Sequence, residues 1–199
     1  MDWFEEVQTS ELEASGLLQQ GDIIVGCNIL IPGKECYLGT LSENDIEIDM
    51  SFSTVDVIIL SQSCDLSNEK IDSIILCPII PLRKLIEDDQ NFRSSKYREQ
   101  LRQGNVPSYH LLEKIRLGEN LDEEFYVVSF KHIYSVPKDY LKALLNSREK
   151  EKRLRLKSPY VEHLSQSFAR YFMRVGLPSS IDADEIKRLY QKDKSSFLG

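Results

Sequence analysis

The residues best suited to chemistry stand together at Ser61-Gln62-Ser63-Cys64-Asp65. Hydroxyls, a thiol and a carboxylate lie there between the apolar run Val57-Ile58-Ile59-Leu60 and the polar stretch Leu66-Ser67-Asn68-Glu69-Lys70. The apolar run reads as a buried strand and the polar stretch as a turn. A second run, Ile74-Ile75-Leu76-Cys77-Pro78-Ile79-Ile80, completes a hairpin-like unit. At such a junction the strands fix the backbone and the turn presents the side chains. Ser61, Ser63, Cys64 and Asp65 are therefore the catalytic candidates. A cysteine nucleophile works as thiolate and needs a histidine or positive potential beside it. His110 is the base chosen for it, with His132 as the alternative. The competing reading, and the favoured one, is a structural cysteine at a strand end.

A second constellation lies near the C-terminus. His163, Ser167, Arg170 and Arg174 are spaced by four, three and four residues, which sets them along one side of a helix. Arginine forks fit phosphate and carboxylate alike, so His163, Arg170 and Arg174 are the partner-binding candidates. A solvated helix face, or an ion pair with the acidic front of the chain, is the plain alternative. Asp22, Asp65 and Asp72 could hold a hard cation, but nothing in their spacing is diagnostic. Cys27, Cys36, Cys64 and Cys77 form no C-x-x-C pair and read as reduced thiols. No metal and no cofactor is assigned.

The elements that must carry these groups belong to a chain of 199 residues, enough for one core and an appendage. No apolar run approaches the roughly 20 residues that cross a bilayer. Met1-Asp2-Trp3-Phe4-Glu5-Glu6 is acidic and unlike a signal peptide, so a cytosolic protein without membrane association is expected. The net charge of −7 is unevenly spread. Residues 1–56 hold twelve acids against Lys34 alone, about −11, which leaves about +4 for residues 57–199. Such polarity points either to charge matching inside the molecule or to a partner-facing surface. It disfavours bulk nucleic-acid binding, although a local basic face leaves RNA open.

Thr9–Gly16 reads as a short acidic helix, capped by Ser10 and ended by Gly16. Gly21–Ile31 is the first strand, closed by the turn residues Pro32-Gly33-Lys34. In 35–54, Ile46, Ile48 and Met50 alternate with Glu47 and Asp49 as in a half-exposed strand. Later strands are expected at Tyr109–Ile115 and Phe125–Phe130. Pro81–Ile86 starts a short helix, Phe92–Gln103 is a polar helix ended by Gly104, and a third helix follows Pro137. Arg148–Lys157 is a basic run. The longest helix begins at Ser158-Pro159, buries Val161, Leu164, Phe168, Tyr171, Phe172 and Val175, and stops at Gly176 and Pro178. Asp182–Lys192 is a last short helix, with Ile186 and Leu189 as its apolar contacts.

Gly21-Asp22-Ile23-Ile24-Val25, then Val57-Ile58-Ile59-Leu60-Ser61, then Ile75-Leu76-Cys77-Pro78-Ile79 resemble, in order, the opening strands of the PemK/MazF-like toxins. The resemblance covers about residues 20–80. It implies a small SH3-like β-barrel and an endoribonuclease site using Ser61, Ser63, Asp65 and a basic helix. The chain departs from that family where an arginine should precede the second long strand, for Thr54-Val55-Asp56 stands there. Ser61–Asp65 together with the Ser158–Pro178 helix also resembles an uncharacterised bacterial family.

The expectation is an α+β protein. Residues 1–16 form an N-terminal helical segment, 17–135 a small, SH3-like, partly open antiparallel β-barrel with helical insertions, and 136–199 a C-terminal helical extension. The function expected is that of a cytosolic bacterial protein-interaction subunit, of a toxin-like or phage-defence operon, that binds a protein partner. The alternatives are a PemK/MazF-like endoribonuclease and a cysteine-dependent enzyme using Cys64.

Overall fold

The computed structural model describes residues 3–8, 18–32, 50–117, 122–148 and 152–173, together with Asp182, Asp184, Lys187 and Arg188. The chain is α+β, built on antiparallel strands. The main sheet has the order β2(Ile23–Pro32), β3(Met50–Ile59), β4(Ser73–Pro81), β6(Glu124–Ser129), β5(Tyr109–Ile115), and β7(Tyr134–Pro137) also pairs with β4. A separate two-stranded ladder joins β1(Phe4–Gln8) to β8(Lys152–Leu156).

β4 organises the main sheet. Its first half, Ser73–Leu76, pairs with β7, and its second half, Ile79–Pro81, pairs with β6. Pro78 stands where one neighbour gives way to the other, a point at which a missing N–H is tolerated. The unbroken apolar runs are explained by burial on both faces. Ile23 and Ile58 face one core with Phe4, Leu112, Phe130 and Leu164, whereas Ile24, Val57 and Ile59 face another with Leu76, Leu141 and Leu145. A third core gathers Leu85, Phe92, Leu101 and Tyr109 beneath the helical insertion.

Among the described residues, six helices surround the strands: α1(Ser63–Ser67), α2(Leu82–Asp88), α3(Gln90–Arg93), α4(Ser95–Arg102), α5(Lys138–Asn146) and α6(Tyr160–Phe172). The polar helix expected over Phe92–Gln103 is broken at Ser94. That residue leaves the helical conformation (φ −72°, ψ 125°) and caps α4 by accepting from the Tyr97 N–H. Arg93 and Arg98 hold the short pieces together: Arg93 donates to the carbonyls of Ile86 and Glu87, and Arg98 to those of Phe92 and Arg93.

Several expectations need correction. The ladders establish an α+β chain of mostly antiparallel strands in which no sheet is closed among the described residues, and they do not by themselves establish the SH3-like, partly open barrel. Within the N-terminal segment, Phe4–Gln8 is a strand, and Thr9–Gly16 lies outside the described residues. The expected turn at Leu66–Lys70 is preceded by helix α1, which takes in Ser63, Cys64 and Asp65. The strand before the motif is longer than the Val57–Leu60 run and reaches back to Met50. The basic run contains strand β8, so the C-terminal part is not purely helical. Ile46, Ile48, Cys36, Val175, Gly176, Pro178, Ile186 and Leu189 lie outside the described residues.

The β1–β8 ladder is tied to the main sheet through the start of β2. Leu156 donates to the Gly21 carbonyl, and Gly21 donates to Ile59. Gly21 has φ +86°, and a Cβ there would stand 3.0 Å from Leu156 Cβ and 3.2 Å from Val161 Cγ2. The close passage of β8 and α6 therefore requires glycine. Beyond that point the β2 edge is covered by α5 and its C-terminal end. The Tyr140 hydroxyl accepts from Asn28 N and donates to Asn28 O, and Arg148 donates to the carbonyls of Val25 and Gly26. Occupying those groups removes a template for strand pairing.

Candidate functional site

The Ser61–Asp65 motif is tied into the backbone. Ser61 is buried at the end of β3, and its Oγ accepts from Ile75 N at 2.9 Å, adding one contact beyond the last rung of the β3–β4 ladder. Ser63 Oγ accepts from Gln20 N at 3.1 Å, while Gln20 Nε2 donates to Leu60 O at 2.7 Å. Cys64 is exposed, and its thiol is directed to Gln62 Oε1 and Asp65 Oδ1 at 3.5 and 3.7 Å. Asp65 is half-buried and accepts from Lys70 through its backbone carbonyl. No histidine or cation is among the hydrogen-bond partners of Cys64. His110 belongs to β5, and His132 is exposed in the turn before β7.

The buried charge lies elsewhere. Asp22 is fully buried and is gripped by two arginines of β8. Arg155 donates through Nε to Asp22 Oδ1 at 2.5 Å and through Nη2 to Oδ2 at 3.0 Å; Arg153 Nε donates to Oδ2 at 3.1 Å. The Gln19 N–H adds a fourth bond at 3.0 Å. With Glu6 paired to Lys152, part of the acidic front is thus matched by the basic run inside the molecule. Asp22 is consumed in this way. Among the described residues no three of His, Cys, Asp and Glu gather as a metal-binding group, so Asp22, Asp65 and Asp72 do not come together.

The structure does bring together two histidines that the sequence separates by 53 positions. His110 on β5 is buried, and His163 on α6 is exposed; their rings meet edge to face at 5.1 Å. His110 Nδ1 lies 3.1 Å from Ser167 Oγ, one turn further along α6. Its Nε2 is buried without a hydrogen-bond partner among the described residues. Burial, aided by the neighbouring His163, pushes the His110 pKa down to about 4, so the ring is neutral near pH 7. Ser167 is therefore turned towards β5, while His163 meets the buried ring and remains exposed. Arg170 is exposed, and Arg174 lies outside the described residues.

Both histidines line a cleft of about 590 Å³ between α4, β5 and α6. Trp3, Leu82, Leu101, Leu111, Leu112 and Phe125 supply apolar wall; Ser95, Arg98, Glu99, Arg102 and Glu113 supply the polar part. Arg98 is occupied with the helix carbonyls, and Arg102 makes two bonds to Glu99, at 2.8 and 2.7 Å, which hold the Glu99 carboxyl down at about 2. The two arginines and two glutamates cancel formally, so the cleft offers little attraction to phosphate. Its size and mixed lining suit a ligand site.

A second hollow of about 920 Å³ adjoins it, sharing Trp3 and Glu113. Consecutive residues Trp3, Phe4, Glu5 and Glu6 line it on one side, and Glu113, Lys114, Ile115 and Arg116 on the other. The faces of a strand present every second residue, so consecutive residues mark strand edges turned to the hollow. No ladder joins β1 to β5 among the described residues. The two hollows meet at Trp3 and Glu113 as a trough beside β5.

Sequence reading selected His110 for a different role and gave no place to Trp3, Arg98 or Glu113. A usable signal was present in Arg153-Leu154-Arg155-Leu156, whose alternation is that of a strand. Nothing local announced the cleft, because its residues come from six separate segments. The chain matches no protein-family model and no curated protein.

Proposed function

We propose that the protein is a protein-interaction subunit which takes a polypeptide segment of its partner in the trough along β5. The observation that carries this reading is the trough itself: two strand edges facing a common hollow, continuous with an apolar cleft that ends on a buried, neutral histidine. The outer edge of β5 carries main-chain N–H and C=O groups, which an extended polypeptide complements. The cancelled charges of the cleft favour such an occupant over a phosphate backbone.

The catalytic readings draw less support. Ser61 and Ser63 use their hydroxyls as acceptors for backbone N–H groups, and the thiol of Cys64 has oxygen atoms as its neighbours. The test uses proteins encoded by adjoining genes, each purified and mixed with this chain before size-exclusion chromatography. One of them is expected to co-elute. Replacing exposed Ser95 on the cleft wall by tyrosine should abolish the complex without unfolding the protein. A complex indifferent to Ser95→Tyr, or none with any neighbour, refutes the reading.

A further inference from the structure

His110 is held at one pole and unanswered at the other. Ser167, on α6, meets Nδ1, whereas Nε2 has no partner among the described residues although it is buried. A neutral imidazole carries one proton. In the tautomer in which the serine hydroxyl donates to Nδ1, that proton sits on Nε2, and a buried N–H without an acceptor is a defect that native structures rarely leave. The ring borders the cleft, and the side chain in contact with it there is the exposed His163. An incoming group can reach Nε2 by displacing His163, since an exposed ring is the easier of the two to move.

We infer that His110 Nε2 is the anchor of the cleft: the bound segment places an apolar side chain against Trp3 and Phe125, and an adjacent main-chain carbonyl accepts the Nε2 proton. This rests on the polypeptide-binding reading above and adds the chemistry of the residue recognised. Carboxylate and phosphate are poorer candidates, because the cleft has no surplus cation to neutralise them. A hydrocarbon without an oxygen would leave the N–H as it was.

The probe is N-acetyl-leucine N-methylamide, an apolar side chain flanked by two carbonyls. Trp3 is the sole tryptophan of the chain, lines the cleft and stacks on Tyr160 at 4.1 Å, so its emission reports occupancy. Nitrogen NMR of the histidine-labelled protein reports the state of Nε2. The expected results are a protonated Nε2 in the free protein, a shift of that resonance on adding the probe, and saturable change in Trp3 emission. His110→Asn keeps a group for Ser167 but removes Nε2, and should weaken the probe by about tenfold. His110→Gln places an amide near the Nε2 position and should recover most of the loss. Equal binding by His110→Asn, with Trp3 still responding, overturns the anchor and leaves the cleft as a binding site. An unprotonated Nε2 in the wild-type protein also overturns it, whether or not the variants fold. Absence of any response from Trp3 and His110 removes both the anchor and the polypeptide reading of the cleft.

Discussion

Acidification should destabilise this protein through His110 in a defined window. Burial holds the folded-state pKa at about 4, against an ordinary value of 6.5. Between those limits the unfolded chain takes up a proton that the folded chain refuses, so stability is complete above 6.5 and falls as the pH drops towards 4. At about 1.4 kcal/mol per pH unit, the interval is worth about 3 kcal/mol. His110 is only 5% exposed, so solvent screening reduces this little. His163 touches the ring, and Glu99, Glu113, Arg98 and Arg102 share the cleft; all of them are present in the His110→Asn variant as well, so the comparison isolates His110. Urea unfolding of both proteins at several pH values from about 7 to about 4 isolates the difference. The wild type should lose about 3 kcal/mol more than His110→Asn across that range. Parallel curves would refute the claim that the imidazole is buried and neutral.

Other consequences follow from the fixed parts of the fold. Asp22→Ala leaves the Arg153 and Arg155 guanidinium groups beside an empty position and should cost about 3–5 kcal/mol, measured by denaturant unfolding. Tyr140→Phe removes the hydroxyl that bonds both main-chain groups of Asn28 and should cost about 1–2 kcal/mol, with faster amide exchange at Asn28. Of Cys27, Cys64 and Cys77, exposed Cys64 alone should be alkylated in the native state; burial raises the pKa of Cys27 and pushes that of Cys77 up to about 12. Peptide mapping that finds Cys27 or Cys77 modified as readily as Cys64 would contradict the burial described.

The strands were legible where composition is decided by burial. Val57–Leu60 and Leu76–Ile79 have solid cores on both faces, so their uniform apolar character was enough. Tyr109–Ile115 and Phe125–Phe130 were legible for similar reasons. β8 was not, because Arg153 and Arg155 are buried by an acid 131 and 133 residues distant, and local charge counts treat such residues as surface. The polarity between front and rear likewise had two readings until Asp22 and Glu6 were seen to pair with that strand. The motif at Ser61–Asp65 was correctly located at a strand end, but its hydroxyls serve the backbone, a use that residue type alone does not reveal. The site suffered most. His110 was chosen as a base for Cys64, whereas its observed neighbours are Ser167 and His163, which only the packing of α6 on β5 brings near.

Amide hydrogen exchange on any complex recovered by co-elution tests the central claim most directly. The account predicts slowed exchange along Tyr109–Arg116 and around Trp3–Glu6, together with altered Trp3 emission. Slowing confined to the exposed Arg170 side of α6 or to the Cys64 helix, with β5 unchanged, would contradict it.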